Sequence, residues 1–343
     1  MKNMLGLLLL VGFLCCPVVG ERVIPLPEDL IKPFRVVVDD QRIFIAAGPE
    51  VYVLDKSDGR LLNRFGKEGE GPGEFKLFPE YAPELDVNAQ GILASSLGKI
   101  SLYSPQGNLI WEKKMAGLPM DRFSRLLEDR IIDQRLIRDG AVLYQAYFLC
   151  GMDQSEEREF HRHKYYRQRP TFNPIASGLY VSNVYVHGGE IFLGGEIGSG
   201  SVHVYDSGGR PLRVIRPPFD PVPFTAKDKQ SWIDSYMSND EYKQIYERIK
   251  DSFAYPDVFP LFQNLVLADG RLYFQTFKRN DAHGENEVVI TDLNGKVIRR
   301  VWLPFVEYFD YTPNPYTFRD ETLYQLVENE DTEVWELHLS EIR

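Results

Sequence analysis

The chain has 343 residues, is 43% hydrophobic and 13% aromatic, and carries a formal charge of -11. Disordered, collagen-like and multi-span membrane chains do not have this composition. The acidic balance argues against nucleic acid or anionic membranes as general partners.

Residues 1–20 read as a signal peptide: Lys2 is a minimal positive start, Leu5 to Leu14 an apolar run, and Pro17-Val18-Val19-Gly20 a cleavage site. The run is shorter than the roughly 20 apolar residues that a membrane span requires. Cys15 and Cys16 raise lipidation as an alternative, but Leu14 and Cys15 are poor residues to precede a lipidated cysteine. Simple cleavage is therefore the expectation, giving an exported protein, periplasmic or extracellular, with no transmembrane segment in residues 21–343. Only Cys150 then remains, so no internal disulfide is expected. Its setting, AVLYQAYFLC, predicts a buried, inert thiol in a strand.

From Phe34 onward the wording repeats: apolar strand, acidic or glycine turn, apolar strand, short loop, alternating strand, glycine turn, last strand. The units are Phe34–Phe65, Tyr81–Met115, a worn one from Phe123 to His163, Leu179–Ile215, Leu261–Leu303, and a sixth from Pro315 to Ile342. Pairs such as Asp58-Gly59, Gly188-Gly189, Asp269-Gly270 and Asn294-Gly295 suit hairpins, because glycine accepts positive φ at little cost. Four-stranded units of about 40 to 50 residues predict an all-β, six-bladed propeller in a single domain, 21–343. The sixth unit lacks a last strand. The segment Arg22 to Leu26 is expected to supply it and close the ring, leaving no open sheet edge there.

Between the fourth and fifth units, Thr225 to Phe253 (about 225–253) predicts a short helical insert. Thr225 with Asp228, and Ser238 with Glu241, have capping-box spacing. Trp232, Ile233, Tyr236 and Met237 form one stripe, and Tyr242, Ile245, Tyr246 and Ile249 another, so two helices broken near Ser238-Asn239 are expected to cover apolar blade surface.

The stretch GKEGEGPGEF, Gly66 to Phe75, is too rich in glycine and proline for helix or central strand. Gly69, Gly71, Pro72, Gly73, Glu74 and Phe75 resemble the inter-blade loop of NHL-like six-bladed β-propellers, a group with mostly uncharacterised exported bacterial members. The resemblance implies a binding or scaffolding role. Some propeller relatives are metal-dependent lactonases or an amidating lyase, and their channel ligands have no clear counterpart in this chain.

In such a ring the tight turns fall on one face. The other receives Gly66 to Glu80, Ala116 to Arg122, His161 to Gly178, Pro217 to Pro260 and Pro304 to Asn314. Long loops on a rigid scaffold carry function disproportionately. The local candidate is HRHKYYRQRP, where His161, Arg162, His163, Tyr165, Tyr166, Arg167 and Arg169 offer guanidinium forks and aromatic faces at or beside the channel mouth. They suit a protein, peptide or glycan partner, acidic in character. The competing reading is a solvated loop that balances Glu156, Glu157 and Glu159. No spacing suggests a metal site, a cofactor or a catalytic residue: G-x-S-x-G, H-E-x-x-H and P-loop motifs are absent. A ligand- or protein-binding module is thus the first expectation, and a metal-dependent hydrolase or lyase acting at the central channel the alternative.

Overall fold

The computed structural model describes residues 21–76, 82–114, 124–152, 157–164, 183–194, 200–238, 240–309 and 312–342. The described residues open with β1 (Glu21–Pro25) and then build blade 1 from β2 (Pro33–Val38), β3 (Arg42–Ala47), β4 (Glu50–Asp55) and β5 (Leu61–Phe65). Blade 2 holds β6 (Glu84–Asn88), β7 (Gly91–Ser96), β8 (Lys99–Tyr103) and β9 (Leu109–Lys114). Blade 3 holds β10 (Ser124–Leu127), β11 (Arg130–Asp139), β12 (Val142–Gly151) and β13 (Arg158–Lys164). Blade 4 holds β14 (Asn183–His187), β15 (Glu190–Gly194), β16 (Val202–Asp206) and β17 (Pro211–Ile215). Blade 5 holds β18 (Asn264–Ala268), β19 (Arg271–Asn280), β20 (Glu285–Thr291) and β21 (Val297–Leu303). A small hairpin, β22 (Glu307–Phe309) and β23 (Thr312–Pro313), precedes blade 6, which holds β24 (Tyr316–Arg319), β25 (Thr322–Glu328) and β26 (Trp335–Glu341).

Each blade is an antiparallel four-stranded sheet, and the first strand of each touches the first strand of the next, with β24 returning to β2. That closed succession is the six-bladed propeller. Blade 3, the worn repeat, is as complete as the others; its β11–β12 hairpin is simply longer, ten residues a side. Middle strands are covered on both faces by neighbouring blades, which is why Ile43, Phe44, Ile45 and Ala46 are all fully buried in one run. Outer strands meet water and admit exposed Leu62, Ile110 and Ile298.

Blade 6 takes its fourth strand from the start of the chain. β1 pairs antiparallel with β26 from Glu21↔Ser340 to Pro25↔Glu336. Ile24 and Leu26 are buried with Leu326, Leu337 and Leu339 of blade 6 and Ile43, Ile45 and Leu54 of blade 1. The Asp58-Gly59 turn lies directly against this strand: a Cβ on Gly59 would stand 2.1 Å from Ile24 Cγ2.

The glycine-rich connection is shaped around one ring. Phe75 is fully buried between blades 1 and 2, among Phe44, Val51, Val53, Leu85, Ile92 and Tyr103. Gly66 has φ +93°, and a Cβ there would meet the Phe75 ring at 2.4 Å. The buried Lys99 ammonium donates to the Gly71 carbonyl (2.7 Å) and to Glu112 Oε2 (2.9 Å). The same oxygen accepts from Gly73 N–H at 3.0 Å and Ser101 Oγ at 3.1 Å. A buried ion pair with every group bonded fixes the loop where it leaves blade 1.

The insert forms α1 (Ala226–Met237) and α2 (Asp240–Ile249). Thr225 and Asp228 make the reciprocal capping box. Ser238 closes the first helix, donating its N–H to the Asp234 carbonyl and its hydroxyl to the Ser235 carbonyl at 2.8 Å; the Glu241 side chain, its expected capping partner, lies outside the described residues. The insert has a small aromatic core of its own, in which Trp232, Phe259 and Phe277 are buried with Phe224, Tyr236, Tyr246, Phe253 and Tyr255 around them. Phe277 belongs to the far end of β19 and stacks on Phe259 at 4.4 Å. Lys227 adds an ion pair to Asp281 at 2.9 Å, in the β19–β20 turn. The insert therefore docks on the projecting hairpin of blade 5. Among the described residues no helix is long and apolar enough to cross a membrane.

Candidate functional site: the channel mouth and an outer crevice

The free edge of each first strand faces the propeller axis and leaves backbone N–H and C=O groups without a strand partner. Polar side chains at the opening end of the first strands serve these groups, often across a blade seam. Asp86 Oδ2 of blade 2 accepts from Leu126 N–H of blade 3 at 2.7 Å. Arg125 Nε of blade 3 donates to the Val184 carbonyl of blade 4 at 3.2 Å. Tyr185 of blade 4 donates its hydroxyl to the Leu265 carbonyl of blade 5 at 2.6 Å. Asn264 of blade 5 donates to Tyr316 Oη of blade 6 at 3.0 Å, and that hydroxyl donates to Gln275 Oε1 at 2.6 Å. Arg35 of blade 1 faces Glu84 of blade 2 at 3.4 Å.

All these residues except Gln275 fall within the first three positions of their strands. A first strand begins where the chain arrives from the preceding blade, so the ring lies toward the face of the inter-blade connections. Two arginines and two carboxylates occupy blades 1 to 3, and phenols and carboxamides occupy blades 4 to 6. Burial pushes the Asp86 carboxyl above its usual range, against the pull of Arg125, Leu126 N–H and Arg35. Burial opposes the charge on Arg35, but Glu84, Tyr185 and Asp86 together outweigh it and hold the guanidinium more firmly protonated than usual. Burial also pushes the Tyr185 and Tyr316 phenols upward.

Most of this ring is committed to holding seams together. The Arg35–Glu84 pair spans the seam of blades 1 and 2 as an ion pair, without a hydrogen bond between the two side chains. Glu84 Oε2 is shielded from solvent and has no hydrogen bond. The Arg35 side chain makes no hydrogen bond to any described residue, and a quarter of its surface is exposed. Neither residue was marked by the sequence, where Arg35 and Glu84 look like any charged residue beside a strand.

The predicted basic loop is placed differently. His161, Arg162 and His163 lie within β13, the outermost strand of blade 3, paired with Tyr147, Ala146 and Gln145. They are at the rim of the propeller, far from the axis, because β13 is separated from it by three strands; the expected position at or beside the channel mouth is corrected for these residues. Arg162 binds both oxygens of Glu159, stands 3.9 Å from Asp139, and lies over the Tyr144 ring. Tyr165, Tyr166, Arg167 and Arg169 lie outside the described residues.

The two histidines face blade 4. The His161 ring has His163 at 5.7 Å, His203 of β16 at 5.4 Å, Tyr147 at 5.7 Å and Tyr205 at 5.8 Å, centroid to centroid. Its Nδ1 is hydrogen-bonded to Tyr205 Oη at 2.8 Å. Burial first, then repulsion from His163 and His203, push the His161 imidazole down to about 4, with Glu159 pulling the other way. Among the described residues no three His, Cys, Asp or Glu side chains are grouped so as to hold a metal ion.

On the opposite face of blade 3, Cys150 is buried, as expected, and has a cationic neighbour that the sequence did not reveal: Arg135 Nη2 lies 3.7 Å from its sulfur. That guanidinium is already bound to the fully buried Asp133 at 2.6 Å and to Glu157 at 2.7 Å. Asp281, in the fifth-blade turn, is taken by Lys227, and Glu285 by Asn280 at 3.0 Å.

No family model matches the chain, and no curated protein matches it. Solved structures do. A member of the DUF4221 family from Bacteroides vulgatus has a TM-score of 0.51 at 11% identity, covering 94% of this chain and 96% of its own. The β-propeller domain of Cps50 (Swd1) from Myceliophteria thermophila has a TM-score of 0.43 at 10% identity, covering 94% and 99%. A protein of unknown function from Bacteroides caccae has a TM-score of 0.38 at 11% identity, covering 83% and 82%. At 11% identity the likeness to the DUF4221-family structure is one of fold.

Proposed function

We propose that this protein is an exported binding module, akin to the NHL-like propellers, that takes a ligand or partner through the face of its long connections. The Arg35–Glu84 corner of the channel ring carries the reading. Elsewhere in the ring the named polar groups are tied to a neighbouring blade. Here the Arg35 side chain, a quarter exposed, brings a guanidinium with five donors to 3.4 Å from a carboxylate oxygen that has no hydrogen bond. An arginine fork of this kind suits a carboxylate, and the partner class that fits is an acidic peptide or glycan. The basic segment from His161 to Pro170 is the proposed second contact, with Arg167, Arg169, Tyr165 and Tyr166 as its recognition groups, since Arg162 is already neutralised by Glu159 and Asp139. The signal-like residues 1–20 support export.

The test is calorimetric titration of residues 21–343 with two probes, an oligoglutamate peptide and an oligogalacturonate, at low and high salt. One probe binds the parent, more weakly at high salt, and Arg35→Gln loses that binding while its unfolding curve is retained. Equal binding by the parent and Arg35→Gln, or no binding of either probe to the parent, overturns the reading.

A further inference from the structure

The outer seam between blades 3 and 4 is lined by three imidazoles, His161 and His163 from β13 and His203 from β16. We infer that this crevice is an acid-sensitive latch: neutral, the rings pack β13 against blade 4, and protonated, they drive that outer strand away. The inference is independent of the ligand reading.

The geometry is specific. His161 sits at the centre of the cluster, with His163 and Glu159 beside it on β13, Tyr147 on β12, and His203 and Tyr205 on β16. Arg158, at the start of β13, lies against Gly209 of the turn after β16. Glu159 is the carboxylate in reach, and both of its oxygens are held by Arg162. A proton arriving on His161 thus enters a half-buried space beside two further imidazoles. Like charges at this separation repel strongly in a partly dry crevice.

On the other flank of blade 3, by contrast, the cation is matched by anions: Arg135 is paired with Asp133 and Glu157. Acid therefore brings like-charge repulsion to the histidine seam and not to the Arg135 side. With His161 folded near 4 and an ordinary histidine near 6.5, opening this seam becomes about 50-fold more favourable between about pH 7 and about pH 4.5.

Hydrogen exchange measured by mass spectrometry on residues 21–343, corrected for intrinsic rates, tests this at the two pH values. The β13 peptide of the parent is expected to lose protection by about 50-fold, while β20 in blade 5 holds its own. His161→Phe, which keeps a ring but cannot titrate, is expected to keep β13 protected at low pH. His203→Gln, which leaves His161 in place and removes one repelling neighbour, is expected to lose less than the parent and serves if His161→Phe folds poorly. Unchanged β13 protection in the parent, or a loss as large in either variant, overturns the latch.

Discussion

Replacing Ile24 by alanine tests whether the propeller is held shut by its first strand. Ile24 is 2% exposed and packs into the seam that joins blade 6 to blade 1. Truncating a buried isoleucine to alanine costs about 2–5 kcal/mol, the higher values applying where neighbours cannot collapse into the gap. Here Gly59 and the rigid blade-1 strands form the wall, so about 3 kcal/mol is the expected loss. Deleting Glu21 to Pro27 removes both Ile24 and Leu26, together about 4–10 kcal/mol, which is comparable to the whole stability of a typical domain, about 5–15 kcal/mol. The deletion is therefore expected to leave no closed ring. Urea unfolding of the point variant, followed by far-ultraviolet circular dichroism, reads the change as a lower midpoint at an unchanged slope. A loose tail would shift stability by no more than about 0.5 kcal/mol. A shift below about 1 kcal/mol for Ile24→Ala, or a truncated chain that melts like the parent, refutes closure by this strand. Gly59→Ala offers an internal control: its clash with Ile24 should lessen when Ile24 is alanine, giving a measurable coupling between the two sites.

Lys99→Met strands Glu112 beside the glycine-rich loop and is expected to cost about 3–5 kcal/mol in the same unfolding assay. Tyr316→Phe removes the hydroxyl shared by Asn264 and Gln275 and should cost about 1–3 kcal/mol in that assay; no change would mean that the link between blades 5 and 6 rests on packing alone. Alanine at Arg162, Arg167 and Arg169 together is expected to leave the melting curve within about 0.5 kcal/mol per site, while weakening capture of whichever acidic probe binds the parent and flattening its salt dependence. Cys150, buried beside Arg135, should react with a thiol reagent only as fast as the protein opens, and rapid labelling of the native protein would count against that.

The blades were readable because a strand buried on both faces must be apolar and a hairpin needs glycine or an acidic turn; both demands are local and leave their mark in sequence order. The closing strand was readable by subtraction, from a sixth unit one strand short. Thr225 and Asp228 announced their helix for the same local reason. The channel ring was hidden. Arg35 and Glu84 come from different blades, and nothing in either strand says that the other will face it. The histidine crevice was half visible: His161 and His163 stood out as a pair, but His203 lies forty residues on and reads as one more strand residue. Counting charges along His161 to Pro170 suggested a loop, whereas pairing with the long β12 strand holds the first four residues in the sheet.

The pairing of Glu21 with Ser340 sets an order on how this molecule comes to exist. Made from its N-terminus, the chain presents β1 first and β26 last, so the strand that seals the ring waits through the synthesis of five and a half blades. Until then its Ile24 and Leu26 have no complete pocket, and blade 6 has no lip. Contacts so distant in sequence form slowly. A chain interrupted anywhere before β26 leaves β1 unpartnered, so the seam is a receipt for every blade that lies between the two strands.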